Sequence, residues 1–273
     1  MVKIHETKCV KCLKCVNECR WNAILFKEKY GIVVEDDLCS ECGHCFAVCP
    51  NEAISMNGKI FYPDSELAKV IASRRSCRKY TNEPVSDEEL NKIVHIASIV
   101  PSAVNQKSVE MVVIRDKDML DSLRKITKNA LLANFAILDN PLMTIPAKIM
   151  LGKQFRKIKR TKQAMVPVLK SGEKDILLFN APCFIAVHMN KKAHMPDEDS
   201  HYAAYNMILQ AEQMGLGTCF MGFAKRAINT KQGKTLLGIP ENHEIYTCFV
   251  LGHPETKYLR IPPAKDFKIK YFG

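Results

Sequence analysis

Eight of the twelve cysteines fall between Cys9 and Cys49, in two runs of identical spacing. Cys9, Cys12, Cys15 and Cys19 are spaced C-x2-C-x2-C-x3-C, and Cys39, Cys42, Cys45 and Cys49 repeat that pattern 30 residues later. The duplication runs past the cysteines, since Asn22-Ala23-Ile24 corresponds to Glu52-Ala53-Ile54, so the segment reads as two copies of one small unit. A segment this short cannot hold itself together with apolar burial alone and needs staples or metal. The opening residues, Met1 to Lys8, contain no apolar stretch of signal-peptide type. A reducing, cytoplasmic setting is therefore expected, and there dense cysteines serve metal or redox chemistry far more often than disulfides. Three thiolates at successive x2 spacing can wrap three irons of a cubane, while the fourth, one residue further on, points toward a second cluster. Crossed ligation of two [4Fe–4S] clusters is the expectation. Cys9, Cys12, Cys15 and Cys49 would hold one, and Cys39, Cys42, Cys45 and Cys19 the other. Structural zinc also favours C-x2-C, but as two pairs separated by a loop. His44, between Cys42 and Cys45, reads as a surface residue or a neighbour of the centre and not as a ligand, because the cysteines already complete the ligand count.

This arrangement, within residues 1–60, resembles bacterial two-cluster ferredoxins down to Cys49-Pro50. The first run departs from that pattern by ending Cys19-Arg20, which keeps every ligand but would expose its cluster or alter its potential.

From about Asp64 the composition changes to alternating helical and strand patterns rich in Val, Ile, Leu and Met. Ser65 to Ser73 is a short helical stretch. Ser86-Asp87-Glu88-Glu89 is a capping box followed by Leu90, Ile93, Val94 and Ala97 at helical spacing. Strands are expected at Glu110 to Arg115, Cys183 to Met189 and Ile245 to Leu251. Helices are expected at Asp118 to Thr127 and at Ser200 to Met214, the latter stopped by Gly215. A layered α+β domain over residues 64–273 follows.

Arg74-Arg75-Ser76-Cys77-Arg78-Lys79-Tyr80, followed by Glu83-Pro84-Val85 and the capped helix, resembles the N-terminal signature of nitroreductase-family FMN enzymes. Physically, guanidiniums beside a hydroxyl make a cradle for a phosphate monoester. Pro101-Ser102-Ala103-Val104-Asn105-Gln106 is similar to the family's Pro-Ser-x-x-Asn loop. Gly215-Leu216-Gly217-Thr218 with Met221-Gly222 resembles its glycine-containing turn beneath the flavin. Leu251-Gly252-His253-Pro254 and the tail Arg260 to Lys265 resemble its terminal segment. The resemblance implies an α+β sandwich around a central mixed sheet, an FMN-dependent oxidoreductase, and an intertwined homodimer with flavin at the interface. It implies phosphate contacts from Arg74, Arg75 and Ser76, and a cation, Arg78, on the N1/O2 side of the ring. Ring or ribityl contacts would come from Ser102 and Asn105, with Met221 and Gly222 beneath the ring. Arg260 or Lys265 would complete the phosphate site, with Arg260 favoured because Ala264 stands where the family's arginine is common. Lys107-Ser108-Val109 replaces the frequent Gln-Pro-Trp, which marks a divergent member.

The net charge of +11 sits wholly beyond residue 60, because residues 1–60 carry eight basic and eight acidic residues. Lys148 to Lys170 holds eight basic residues and no acidic one. With the rest of residues 140–172 it resembles the family's variable insertion, expected as a lid giving the site positive potential through Lys157, Lys159 and Arg160. With only Phe155 inside that run, nucleic acid is not an expected partner. The longest mainly apolar run, Ile176 to Met189, is broken by Asn180, Pro182 and His188 and is too short to span a membrane. Cys77, Cys183, Cys219 and Cys248 read as core residues, and the histidines from His188 to His253 share no ligand spacing. No Ser-His-Asp or paired-carboxylate set is apparent, which agrees with chemistry carried by a flavin. The expected function is anaerobic electron transfer through two clusters to FMN and on to a small acceptor such as a nitroaromatic or quinone. NAD(P)H or reduced ferredoxin would be the donor. The alternative is an electron carrier or redox sensor that docks a protein partner and has no substrate of its own.

Overall fold

The computed structural model describes residues 2–265 and 267–273, except the side chains of Pro141, Leu142, Met143, Ala147, Leu151, Lys153, Gln154, Arg156 and Lys157. Lys157, one of the basic residues expected on a lid, thus lies outside the described side chains. The chain divides into two compact units, one taking in the chain up to Arg74 and again from Thr256, the other Arg75–Glu255. That division differs from boundaries at 1–60 and 64–273: residues 64–74 and the tail join the cysteine-rich unit.

The first unit shows its duplication in the backbone. Helices α1 (Lys14–Glu18) and α2 (His44–Val48) occupy equivalent places 30 residues apart. Lys11, Leu13 and Asn22 take positive φ, and so do their counterparts Glu41, Gly43 and Glu52. Strands β1 (Val2–Ile4) and β4 (Ile54–Met56) pair antiparallel, as do β2 (Ile24–Lys27) and β3 (Gly31–Val34). The core is small, built from Val2, Ile24, Ala53 and Ile54 packed against the cysteines themselves. Helix α3 (Glu66–Ser73) starts on Ser65, whose side chain accepts from the Ala68 amide.

Backbone hydrogen bonds and close packing tie the tail to this unit. The Leu259 amide donates to the Ala47 carbonyl, and Lys59 and Ala264 exchange backbone bonds of 2.9 Å. Pro262 packs so closely on Gly43 that a Cβ there would collide with its ring. The Tyr258 hydroxyl donates to Glu18 at 2.8 Å.

In the second unit the described residues place four strands in the order β5 (Glu110–Ile114), β6 (Cys183–Asn190), β8 (His243–Gly252), β7 (Gly217–Phe220). All three pairings are antiparallel, and the parallel component expected of a mixed sheet is the isolated bridge between Ser76 and Thr218. Successive residues of β6 enter opposite cores, as a period of two requires. Phe184 and Ala186 join Leu120 and Leu123 of α5 (Lys117–Ile137), Ala224 and Ile228 of α9 (Gly222–Ile228), and Leu237 of α10 (Lys231–Leu237). Cys183, Ile185 and Val187 join Ile93 of α4 (Asp87–Ile96) and Met207, Ile208 and Ala211 of α8 (Pro196–Gln213). The sheet is thus covered on both faces, and its central strand is a continuous apolar run for that reason.

Local signals set the helix starts. The capping box at Ser86 and Glu89 is fully formed, and the Asp116 side chain accepts from the Met119 amide at 2.8 Å. Helix α5 runs ten residues past the expected Thr127, because Leu131 and Phe135 continue its buried stripe against Met165 and Leu169. Residues 140–172 form α6 (Pro141–Leu151) and α7 (Lys153–Ser171), the second ending on Gly172 at φ 72°. Among the described residues no helix is long and apolar enough to cross a membrane.

Candidate functional site

The cysteines of the first unit converge in two crossed sets. Burial lifts the Cys15 thiol to about 11, and the charges of Cys49, Cys9 and Cys12 push the same way. Cys45 rises to about 12, again chiefly by burial, with Cys42, Cys19 and Cys39 adding to it. Cys39 is raised by burial and by Cys42 and Cys19. The first three cysteines of each run therefore have the last cysteine of the other run as a neighbour. Burial also opposes ionisation of Cys42, but hydrogen bonds from His44 outweigh it and bring that thiol to about 6. A cavity of about 370 Å³, counting space open to solvent, is lined by Cys9, Cys12, Cys15 and Cys49 beneath Ile4, Ile32, Pro50 and Ile54. Ligating sulfur must be thiolate, and thiols raised by burial become thiolates only beside a compensating cation. Four convergent sulfurs in a part-apolar pocket therefore fit an iron–sulfur cubane.

Backbone amides complete the sulfur environment. The Ala23 amide donates to Cys19 Sγ at 3.2 Å and, 30 residues on, the Ala53 amide donates to Cys49 Sγ at 3.3 Å. Such N–H···S bonds stabilise the more negative, reduced state of a cluster. Arg260 Nη2 donates to the Phe46 carbonyl at 2.9 Å and also to the Cys49 carbonyl, with its guanidinium over the Phe46 ring. Lys265 Nζ pairs with Glu41 at 2.7 Å. Both residues expected at a phosphate site thus have partners in the cysteine-rich unit. Arg260 is the right length to reach the carbonyls at the end of α2, which the local sequence alone could not show.

In the second unit the segment after Arg75 is laced to the ends of β7 and β8. The Cys77 amide donates to the Thr218 carbonyl at 2.8 Å, the Tyr80 hydroxyl to the Cys77 carbonyl at 2.8 Å, and the Glu255 amide to the Lys79 carbonyl at 3.0 Å. Cys77 is buried as a small apolar residue, and a Cβ on Gly217 would stand 2.7 Å from it, so glycine is required at that crossing. Ser76 bridges Thr218, and the Arg78 guanidinium lies 6.0 Å from the Phe179 ring. Arg74 ends the first unit as the C-cap of α3.

The loop with Ser102 and Asn105 is fixed elsewhere. Val104, Asn105 and Lys107 all take positive φ, a conformation that costs a β-branched residue such as Val104 roughly 1–3 kcal/mol. Asp199, 3% exposed at the start of α8, offsets that strain: both its carboxylate oxygens accept from the Ala103 amide at 3.1 Å, and one accepts from Gln106. The Ser102 hydroxyl accepts from the Lys107 amide at 3.0 Å. Asp199 escaped the sequence reading because it lies 96 positions from its partner. Met221 and Gly222 sit where β7 turns into α9, Met221 buried and its amide bonded to the Cys248 carbonyl at 2.9 Å.

A profile described as Nitroreductase family matches residues 71–253. The chain belongs to the nitroreductase family. A second profile, a 4Fe-4S dicluster domain, matches residues 2–56. This nitroreductase-family chain is 25% identical over 191 residues to a proposed NADH dehydrogenase/NAD(P)H nitroreductase of Archaeoglobus fulgidus, covering 70% of this chain and 86% of that protein. It is also 25% identical over 207 residues to iodotyrosine deiodinase 1 of Rattus norvegicus, covering 75% and 66% respectively. Its fold matches an FMN-bound nitroreductase of Desulfitobacterium hafniense with a TM-score of 0.54 at 23% identity, over 77% of this chain and 99% of that one. An FMN-bound nitroreductase of Bacteroides fragilis gives 0.53 at 21% identity, over 76% and 95%.

Proposed function

We propose that this nitroreductase-family chain is an iron–sulfur flavoprotein that passes electrons through two [4Fe–4S] clusters to FMN and on to a small organic acceptor. The observation that carries the reading is the pair of crossed four-cysteine sets in one polypeptide with a nitroreductase-family unit. When bound, the clusters supply single-electron exchange and FMN supplies one- or two-electron transfer to an acceptor. The cysteine sets hold iron, and the Ala23 and Ala53 amides adjust the charge their sulfurs bear. Arg74, Arg75 and Ser76 hold the FMN phosphate, as their donor chemistry suits. Arg78, steadied against Phe179, supplies the positive charge that stabilises reduced flavin. Ser102 and Asn105 present polar contacts from a loop kept in shape by Asp199. Met221 and Gly222 close the site below.

Tethering cluster and flavin modules in one chain raises their effective concentration for one another. Two chains complete each flavin site in this proposal, and the apolar side chains of Ile99, Val104 and Tyr202, exposed in the single chain, are surface a homodimer would cover. The acceptor is a nitroaromatic, quinone or similar flavin-reducible compound, and the donor NAD(P)H or reduced ferredoxin.

Anaerobic purification with iron, sulfide and flavin quantitation tests the composition. About eight irons and one FMN per chain are expected from two cubanes and one flavin site. Stopped-flow reduction with NADH, NADPH and reduced ferredoxin then identifies the donor. A second reading, a carrier docking an acidic partner, is favoured by the basic sequence of α7. It predicts fast reduction with no turnover of any small acceptor.

A further inference from the structure

Neither the cysteine centres nor the proposed flavin residues use two histidines buried at one end of the large sheet. His188 of β6 and His243 of β8 are 4% and 8% exposed, and their Nδ1 atoms lie 3.0 Å apart. Glu110, the first residue of β5, is the register partner of His188, and its Oε1 lies 4.0 Å from His243 Nε2. One ligand atom from each of the three residues can be chosen so that all lie within 4.8 Å of one another.

The sheet imposes this meeting. β5, β6 and β8 are neighbours in the sheet, and the β6–β8 ladder shifts register between Val187 and His188, the kind of irregularity by which a bulge re-aims a side chain. A hydrogen bond between the two Nδ1 atoms joins the rings, and the Glu110 carboxylate stands beside the pair. Lys234 Nζ, at the same end, donates to the carbonyl oxygens of Glu241 and His243.

We propose that Glu110, His188 and His243 bind a divalent cation of the zinc class, separate from the redox centres and clipping three strands of the sheet together. Two imidazole nitrogens and one carboxylate oxygen are a donor set that zinc accepts with its fourth position open. Zinc–nitrogen distances of about 2.0–2.1 Å give tetrahedral edges of roughly 3.3–3.4 Å, so ligand atoms that lie within 4.8 Å of one another have to draw in a little to close on the ion. The carboxylate is the group free to do so, because Glu110 is exposed at the strand end.

The test uses the full chain, purified without oxygen with its iron retained, and zinc chloride alone as the probe. The wild type should take up one zinc per chain without losing iron and gain thermal stability from it. Glu110→Gln, a change at an exposed position, should weaken zinc binding by at least the 10–100-fold typical of losing a mere outer-shell partner, on the order of 100-fold. Its melting temperature without zinc should match the wild type. His243→Asn should lose the site altogether. Zinc K-edge absorption should show nitrogen and oxygen neighbours with imidazole scattering, whereas sulfur neighbours at about 2.3 Å would assign the metal to cysteines and overturn the proposal. Absence of zinc uptake by the iron-loaded wild type, or equal affinity in Glu110→Gln, would overturn it as well.

Discussion

The two units of this chain solve the problem of holding a fold together in opposite ways. In the cysteine-rich unit the apolar core amounts to a few residues pressed against the cysteines. In Arg75–Glu255 a central strand buries seven consecutive side chains between two helical layers. Size explains the difference, since a short segment buries too small a fraction of its surface to balance its conformational entropy. On the proposed reading the chemistry follows from the same contrast: the cysteines pressed into the first core would also hold its redox centres, whereas the second core takes in only Met221 of the residues proposed for the flavin.

Removing iron breaks the comparison most sharply. Chelation under reducing conditions should unfold the first unit completely and leave the second folded, read by hydrogen exchange as loss of protection in residues 2–60 with protection kept in β6 and β8. Uniform loss across both units would show that they do not stand apart. Next in size, Phe249→Ala removes a fully buried ring from the second core and should cost about 3–5 kcal/mol. The electron paramagnetic resonance spectra of the reduced clusters should not change. Arg260→Gln sharpens the boundary itself: losing the bonds to the Phe46 and Cys49 carbonyls should destabilise the first unit by about 1.5–3 kcal/mol. Denaturant titration followed through cluster absorbance reads that loss, and a destabilised second unit instead would reassign the tail. The smallest effect belongs to Ser86→Ala, which removes the cap of α4 and should lower stability by about 1 kcal/mol without moving either cofactor's spectrum.

The first unit was legible in its cysteine spacing and its 30-residue repeat, because that information is local, whereas its left-handed turns fall mostly on non-glycine residues and its tail strap on residues more than 200 positions away. The second unit was legible where periodicity or capping is local, as at Ser86, Glu110 to Ile114 and Cys183 to Met189. It was not legible where a partner is distant. β7 passed for a turn because four residues beginning with Gly217 carry little strand signal until paired with β8. Asp199 and the Glu110, His188 and His243 group depend on register across strands and loops. Arg260 looked like a phosphate ligand because an arginine near prolines at that place in the chain fits the family pattern, whereas its hydrogen bonds are to two carbonyls that no spacing rule connects to it.

Leu259, Arg260, Pro262 and Lys265 strap the same unit that begins with β1. On the ribosome the strap emerges only after the cysteine ladder and the whole sheet-bearing unit have been made. Iron insertion into a nascent chain would therefore meet an unfinished vessel. A transplanted module therefore needs residues from both stretches of the chain to be whole.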